Sequence, residues 1–334
     1  MTENTHGDRR GMRAPTLEVH ITPEQLNAAL RADAERGLTA TPKWLPPKWF
    51  YDARGSELFE RITRLPEYYP TRTERALLEE HAREIAAVVM PQILVELGSG
   101  SSDKTRLLLH ELGARGTLEK YVPQDVSESA LRDATRRIAT EFPEIDVHGV
   151  VGDFTQSLQH LPSGGSRMVA FLGGTLGNLV PDERQQFLAE IAGVLESGEH
   201  LLLGVALVTD PRVLVPAYDD AAGVTAQFDL NVLSVLNKQL GADFDLDRFR
   251  HVAVWNPVDE WIEMRLEAAA DMTVHVADLG LAVRFAAGEQ MRTEISAKFR
   301  LSGISAELDA AGFEDIRTWT DADQRFALVC ARRR

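Results

Sequence analysis

The stretch ILVELGSGSSDKT, residues 93–105, decides the fold of this chain. A mostly apolar run leads into two glycines, Gly98 and Gly100, and then into Asp-Lys-Thr at a predicted helix start. A phosphate-binding loop needs Gly-x-x-x-x-Gly-Lys-Ser/Thr, and a dinucleotide loop needs Gly-x-Gly-x-x-Gly. Both patterns fail at Asp103, because a carboxylate at a helix N-terminus would repel phosphate. The stretch therefore predicts a sharp strand-to-helix turn that can approach a ligand without phosphate.

The segments after this turn indicate an α/β fold. Apolar strands alternate with helical segments as far as Leu207, which is typical of a parallel sheet covered on both faces. After Leu207 come helical residues, then a stretch that alternates like antiparallel strands, and finally a helix and a strand pair. We therefore predict a doubly wound sheet interrupted by an insertion. We expect the N-terminal and inserted segments, residues 16–72 and 208–298, to form a second domain beside residues 73–207 and 299–334.

The N-terminal part carries both helix signals and irregular sequence. Residues 1–15 are polar and predict a disordered tail. Thr22, Pro23 and Gln25 form the pattern of a capped helix start, and Gly37 is expected to end that helix. The following segment, up to about residue 74, is dense in proline and aromatic residues and predicts a packed, irregular structure.

Composition excludes several classes of function. Acidic residues outnumber basic residues by 51 to 36, a net charge of -15, which disfavours binding to nucleic acid or anionic membranes. The single cysteine, Cys330, excludes an intrachain disulfide and a cysteine-cluster metal site. The nine histidines show no paired ligand spacing, so we expect no metal. Without a secretory signal or a membrane-spanning apolar run, the sequence predicts a cytoplasmic protein, which we expect to be a monomer.

Strand ends point to S-adenosylmethionine (SAM), an adenosine joined to a zwitterionic amino acid through a sulfonium. The glycine turn alone is weak evidence, since a purely structural turn has the same pattern. Asp125 ends the next predicted strand, where a carboxylate accepts hydrogen bonds from ribose hydroxyls. Asp153 and Phe154 end the third, where they can bind the adenine amine and cover the base. Each aspartate could instead cap a helix, but three signals at successive strand ends favour a SAM site.

Polar and aromatic residues outside the sheet motifs are candidates for a substrate pocket. Glu294 and Ser296 are two residues apart and would share one face of an extended strand. Four of the five tyrosines fall in the N-terminal aromatic segment or near residue 218, which suits an aromatic enclosure for an ammonium group. Ordinary packing between domains would explain these tyrosines equally well. The candidates are Tyr51, Phe59, Tyr68, Tyr69, Asn178, Tyr218, Glu294 and Ser296.

Longer motifs carry a resemblance to a known family. The most specific are GLTATPKWLPPKWFYDARGSELFERITRLPEYYPTRTE, which begins at Gly37, and AYDDAAGVTAQF, which begins at Ala217. LVELGSGSSDKT, GDF, GNL, ADFD and EISAKFR extend the match to most of the chain. These motifs resemble the bacterial L-histidine Nα-methyltransferases of ergothioneine biosynthesis. That family transfers three methyl groups from SAM to the α-amine of histidine and produces the betaine hercynine.

The resemblance implies a role for each domain and for particular residues. It implies a Rossmann-like class I SAM-dependent methyltransferase domain, a substrate-binding second domain, SAM as methyl donor and no metal. Contacts to SAM would come from Gly98, Lys104, Asp125, Asp153 and Phe154. Contacts to L-histidine would come from Tyr68, Asn178, Tyr218, Glu294 and Ser296. Tyr51 and Phe59 match aromatic positions of the amine pocket and would position the amine together with Asn178, and no residue is assigned as catalytic base.

Three other functions stay open. A methyltransferase of the same fold could act on another aromatic amino acid, such as a tryptophan derivative, although Glu294 would then lack a partner. A SAM-binding protein without catalysis would use the polar pocket residues only as scaffold. A P-loop nucleotide hydrolase is disfavoured by Asp103. One departure from the family is Gln124, which stands where an apolar or aromatic residue is expected.

Overall fold

The computed structural model describes residues 14–154, 158 and 161–334. The predicted tail therefore lies almost wholly outside the described residues. Within these ranges the chain is an α/β structure whose strands are β1 (Thr16–Val19), β2 (Ile93–Leu97), β3 (Lys120–Asp125), β4 (Asp146–Val151), β5 (Arg167–Phe171), β6 (His200–Ala206), β7 (Phe249–Asn256), β8 (Trp261–Ala268), β9 (Met272–Val276), β10 (Leu281–Phe285), β11 (Gln290–Ala297), β12 (Phe313–Thr320) and β13 (Phe326–Arg333).

Eight of these strands form the central sheet, in the order β1-β4-β3-β2-β5-β6-β13-β12. The strands from β1 to β6 are parallel, whereas β13 runs antiparallel to β6 and to β12. Every residue of β2 and β5 is buried, as expected for strands covered on both faces. The carboxyl ends of β2, β3, β4 and β5 meet at one edge, where open α/β sheets bind ligands.

Helices cover both faces of the sheet, and other helices pack with the small sheet around a separate core. Two buried clusters lie on either side of the central sheet, and a third joins residues 30–69 to residues 214–291. This third core contains the N-terminal helices, the inserted helices and the small sheet β11-β8-β7. The helices are α1 (Pro23–Thr39), α2 (Ala53–Ile62), α3 (Tyr69–Val89), α4 (Thr105–Ala114), α5 (Glu128–Glu141), α6 (Pro181–Val194), α7 (Pro211–Tyr218), α8 (Val224–Leu240) and α9 (Leu301–Ala310).

The segment expected to be irregular contains a helix. Asp52 caps α2 by accepting a hydrogen bond from the Gly55 amide at 2.8 Å, and Leu58 and Ile62 bury its apolar face. Nearby prolines and aromatic residues hide this short pattern in the sequence. A 3-10 turn at Pro47–Phe50 precedes the helix.

The first helix starts as predicted but runs past its predicted end. Thr22 and Gln25 form the capping box, and α1 continues through Gly37 to Thr39. Gly37 is needed for packing, since a Cβ there would lie 2.0 Å from the carbonyl oxygen of Trp44. The glycine therefore permits a close contact and does not end the helix.

The division into two domains stays a prediction. Residues 16–19, which the sequence places in the predicted second domain, form β1 and pair in parallel with β4 at the edge of the central sheet. The inserted helical stretch consists of two helices, α7 and α8, and Gly223, directly before α8, has a left-handed φ of 68°. Asp220 caps α8 by accepting hydrogen bonds from the amides of Val224 and Thr225 at 3.0 and 2.7 Å.

Substitution of Gly55 tests the packing of α2 on the rest of the second domain. A Cβ at residue 55 would lie 1.6 Å from the Phe50 carbonyl oxygen and 3.0 Å from the Asn231 amide nitrogen. Gly55→Ala should lower the free energy of unfolding by about 1–3 kcal/mol, as measured by urea denaturation. Gly193→Ala is the matched control, since nothing lies within 4 Å of its Cβ position in α6. Equal stability of the two variants would contradict this packing.

Candidate functional site

The turn after β2 leaves space close to the backbone. Gly98 and Gly100 have left-handed φ angles of 65° and 51°, and a Cβ at Gly100 would meet no atom within 4 Å. Ser102 also has a positive φ, 55°. The Ser99 hydroxyl is buried, and none of the described residues forms a hydrogen bond with it. An open turn beside an unsatisfied buried hydroxyl fits a ligand that approaches the backbone closely.

Asp125 is held in place at the end of β3. Its carboxylate accepts hydrogen bonds from the amides of Gly100 and Ser127, each at 2.9 Å. Burial raises the pKa of Asp125, although both hydrogen bonds oppose the shift. These contacts use one lone pair on each oxygen, so the carboxylate retains acceptor capacity for ribose hydroxyls.

Asp153 and Phe154 lie at the end of β4. The Phe154 ring packs edge-on against Phe171 and Phe187, with centroid distances of 5.1 and 5.7 Å. Lys48 of the N-terminal segment places its Nζ 3.8 Å from the Asp153 carboxylate. The predicted adenine side of the site therefore touches the N-terminal segment as well as the central sheet.

Lys104 forms an ion pair that the sequence does not indicate. Its ammonium contacts the carboxylate of Glu74 in α3, which is fully buried. The other oxygen of Glu74 accepts a hydrogen bond from the Gly173 amide at 2.7 Å. Glu74 thus links the loop after β2 to the loop after β5. No local pattern marks it, because both partners are distant in the sequence.

A cavity lies between the loop after β5 and the third core, and its empty volume of about 620 Å³ includes space that is open to solvent. It collects every residue predicted to contact or position the substrate, whereas Tyr69 is not among its lining residues in the described part of the chain. Residues that the sequence analysis did not single out also line it, including Thr225, Phe228, Met264 and Phe326. The predicted residues that line the cavity are Tyr51, Phe59, Tyr68, Asn178, Tyr218, Glu294 and Ser296.

One wall of the cavity is aromatic. Tyr51, Phe59 and Phe228 pack against one another with centroid distances of 5.5–5.9 Å. Tyr68 joins Phe59 at 6.4 Å and Tyr218 at 6.0 Å. Burial holds the pKa of Tyr51 well above its usual range, and the charges of Glu294 and Asp125 raise it further. Tyr51 therefore stays a neutral phenol and lies within electrostatic range of both parts of the site.

Another wall of the cavity is polar, and β11 provides it. Glu294 and Ser296 face the same cavity, as expected from their spacing. Burial raises the pKa of Glu294 to about 8; the negative charge of Asp229 adds to the shift, and Lys298 opposes it. The Ser296 Oγ lies 2.8 Å from the Tyr218 hydroxyl. Asn178 donates a hydrogen bond to the Ile295 carbonyl at 2.7 Å, which fixes its side chain beside this strand.

A buried ion pair lies behind the polar wall. His251 Nδ1 is 2.6 Å from the Asp229 carboxylate, and Nε2 is 2.8 Å from the Tyr218 carbonyl oxygen. Both partners are acceptors, so both ring nitrogens donate and His251 is an imidazolium. Burial opposes this charge, but the hydrogen bonds to Asp229 and Tyr218 raise the pKa of His251 above its ordinary value.

Two other features bear on the class of protein. Among the described residues, no group of three or more His, Cys, Asp and Glu side chains could hold a metal ion. No helix in the described ranges is both long and apolar enough to cross a membrane.

Known proteins resemble the chain over most of its length. A family model described as histidine-specific methyltransferase, SAM-dependent, matches residues 30–333. The histidine N-alpha-methyltransferase of Mycobacterium tuberculosis is 51% identical, over 93% of this chain and 97% of its own length. The protein of that name from Mycolicibacterium smegmatis is also 51% identical, over 95% and 98%. Ergothioneine biosynthesis protein 1 of Neurospora crassa is 28% identical, over 84% of this chain and 32% of its own length.

The contribution of Asp125 to SAM binding can be measured by calorimetry. We expect Asp125→Asn to raise the Kd for SAM roughly 10–100-fold, since hydrogen bonds to a charged group contribute about 1.5–3 kcal/mol. Asp133→Asn, on the exposed face of α5, is the control and should bind SAM like the wild type. Unchanged affinity in Asp125→Asn would rule out a contact between this carboxylate and the ribose.

The raised pKa of Glu294 predicts a pH-dependent stability. The native carboxyl titrates near 8 and the unfolded one near 4.5. Its contribution to stability is therefore fully present below about pH 4.5 and is lost as the pH rises through 8. Urea unfolding should show Glu294→Gln gaining stability relative to the wild type between pH 5 and 8.5. The exposed control Glu60→Gln should show no such trend, and a constant difference for Glu294→Gln would contradict burial of the carboxylate.

Proposed function

Because this chain belongs to the histidine-specific, SAM-dependent methyltransferase family, we propose that it transfers three methyl groups from SAM to the α-amine of L-histidine. The product is the betaine hercynine, Nα,Nα,Nα-trimethyl-L-histidine. The match to a fungal ergothioneine biosynthesis protein supports a place for this reaction in ergothioneine biosynthesis.

The observation that carries the proposal is a single cavity with two unlike walls. Glu294 and Ser296 offer an acceptor and a hydroxyl on one face of β11, which suits the two nitrogens of an imidazole ring. The aromatic wall suits an amine that becomes a quaternary ammonium. The turn after β2 and Asp125 lie at the neighbouring end of the sheet, where SAM would bind.

The residues proposed to hold SAM fit its chemistry. Asp125 would accept the ribose hydroxyls, Asp153 and Phe154 would bind the adenine, and the open backbone at Gly98 would approach the amino-acid part. Lys104, although paired with Glu74, is partly exposed and supports a contact to a carboxylate. When bound, SAM supplies an electrophilic methyl group on a sulfonium, which is displaced in line.

The protein's own contribution is mainly positioning. Glu294 and Ser296 would hold the ring, and Asn178 with Tyr218 and Tyr68 would hold the carboxylate and the amine, so that the nitrogen points toward the methyl group. Alignment of this kind converts a bimolecular displacement into an effectively unimolecular one. Burial keeps the pKa values of Tyr51, Tyr68 and Tyr218 above their usual range, so these hydroxyls act as neutral hydrogen-bonding groups.

The aromatic wall accounts for repeated methylation. Each added methyl makes the nitrogen larger and more apolar, and the third leaves a permanent positive charge. The faces of Tyr51, Phe59 and Phe228 bind such a cation without requiring an N–H donor. The amine loses a proton before each attack, and we assign no single residue as its acceptor.

The expected cytoplasmic location and monomeric state belong to the same proposal. The negative net charge of -15 supports a protein that does not bind nucleic acid or anionic membranes. A small-molecule substrate is the only partner that the cavity requires.

Product analysis by mass spectrometry tests the proposed reaction. Incubation of the protein with SAM and L-histidine should give mass increases of one, two and three methyl groups. Tryptophan and histamine, assayed in parallel, should remain unmodified. SAM binding without methylation of any of these compounds would instead favour a non-catalytic SAM-binding protein, and methylation of tryptophan alone would favour the rival amino acid.

Specificity should depend on Glu294. Glu294→Ala should lower kcat/KM for histidine by at least roughly 100-fold. The variant lacks the carboxyl group that is proposed to hydrogen-bond the imidazole ring, and a site of this kind depends on that bond to select its substrate. The ratio of kcat/KM for histidine to that for tryptophan should fall as well. Glu267→Ala on β8, a glutamate bonded to Arg250 and Gln290, is the control and should keep wild-type activity. Retained histidine preference in Glu294→Ala would refute the proposed ring contact.

A further inference from the structure

Lys298 is buried behind the polar wall of the cavity. It is 4% exposed, and it follows Ser296 by two residues just after β11 ends. Its Nζ donates hydrogen bonds to the Ser296 Oγ at 2.6 Å and to the Tyr218 hydroxyl at 2.8 Å. The ammonium also lies 4.7 Å from the centroid of the Tyr218 ring. Lys298 therefore acts on the cavity through two hydroxyls that line it.

Lys298 fixes which atoms donate and which accept in the hydrogen bonds around it. A charged lysine side chain can donate hydrogen bonds but cannot accept them. Both hydroxyl oxygens therefore accept from Lys298. Tyr218 and Ser296 also share one hydrogen bond, at 2.8 Å, and because a phenol is the stronger donor, Tyr218 donates it to Ser296. The Ser296 oxygen then accepts from both Lys298 and Tyr218, so its lone pairs are used and its own proton is left to point into the cavity. With Lys298 in place, the hydroxyl pair thus presents a donor to a bound ligand.

Charged and titratable groups surround this arrangement on several elements. Burial lowers the pKa of Lys298 to about 7, and the carboxylate of Glu294 opposes the shift. A neutral amine still has two N–H groups, which are enough for both donations after Lys298 loses its proton. The surrounding groups are Glu294 on β11, Asp229 on α8, His251 on β7, Tyr218 on α7 and Tyr68 beside α3.

We propose that Lys298 is a specificity-determining positioning residue, which orients the Tyr218 and Ser296 hydroxyls so that the pocket accepts the neutral imidazole and rejects the imidazolium. This inference rests on the proposed function. A neutral imidazole offers one N–H, which fits a carboxyl oxygen of Glu294, and one lone pair, which fits a hydroxyl donor. An imidazolium has no lone pair, so its second N–H would meet the proton of Ser296.

Without Lys298 the Ser296 hydroxyl is no longer held as a hydrogen-bond donor toward the cavity. A Ser296 hydroxyl that no longer accepts from an amine is free to accept from the ring instead. The pocket would then bind imidazolium nearly as well as imidazole. The measurable property is therefore the dependence of histidine affinity on the protonation of the substrate ring, whose ordinary pKa is about 6.5.

The test uses calorimetry on the full-length protein saturated with S-adenosylhomocysteine, with L-histidine as the ligand at pH 7.5 and pH 5.5. Binding is measured in place of turnover because the α-amine stays protonated at both pH values. Wild-type Kd should rise about tenfold at pH 5.5, when most of the substrate ring is charged. Lys298→Met should weaken binding at pH 7.5. It should also reduce the ratio of the Kd at pH 5.5 to the Kd at pH 7.5 to below about threefold.

Lys298→Gln is the matched control, since its amide keeps two N–H donors without a charge. Lys298→Gln should retain most of the tenfold ratio of Kd values, because the ratio arises from the orientation of the hydroxyls and not from charge repulsion. Ser296→Ala, which removes the forced donor, should reduce the ratio as Lys298→Met does. It provides a second measurement if the methionine variant does not fold, as judged by circular dichroism and S-adenosylhomocysteine affinity.

Two results would overturn the proposal. A ratio that collapses equally in the Met and Gln variants would assign the effect to the charge of Lys298. A ratio that stays at the wild-type value in Lys298→Met, with affinity lowered equally at both pH values, would assign Lys298 a purely structural role. Failure of the proposed function is distinguishable, because the wild-type protein itself would then bind S-adenosylhomocysteine but not L-histidine.

Discussion

The buried carboxylate of Glu74 is the contact on which the site's architecture depends. It joins the ammonium of Lys104 in the loop after β2 to the backbone of Gly173 in the loop after β5. Its helix, α3, begins directly after Tyr68, so the same helix also sets one aromatic side of the cavity. Gly204 leaves the room for this carboxylate, since a Cβ there would lie 1.9 Å from its oxygen. A buried charge without its partners would be strongly unfavourable, so these three segments are held in one arrangement.

The charges around the cavity balance one another. Glu294 and Asp229 are carboxyl groups in a buried environment, and Lys298 and His251 are the cations beside them. Burial alone would neutralise each of these groups, whereas neighbours of opposite charge oppose that tendency. The result is a polar wall in which each buried ionisable group has a neighbour of opposite sign.

The motifs that were predictable from the sequence are local ones. Asp125, Asp153 and Phe154 stand next to strand ends, and the strands themselves are marked by their apolar composition. Glu294 and Ser296 were placed on one face by the period of a strand, and both line the cavity.

What the sequence did not reveal depends on contacts between distant residues. Glu74, Lys298 and Thr225 have no neighbouring signal, because their partners or their cavity lie far along the chain. The pairing of β1 with β4 joins residues about 130 positions apart, and α2 was hidden by surrounding prolines. A strand end can be predicted from a few adjacent residues, whereas a cavity wall consists of residues that only the folded chain brings together.

The walls of the cavity come from segments that lie far apart in the sequence, and this affects the order in which parts of the chain can fold during synthesis. Asn231 donates hydrogen bonds to the Phe50 carbonyl and to Asp52, across some 180 residues of sequence. Phe326, in the last strand, also lines the cavity. Closing loops of this length is entropically costly and comes late relative to local helix formation. A ribosome-bound chain can therefore complete the SAM-side turn long before the amino-acid pocket, which exists only after the C-terminal strand has entered the sheet.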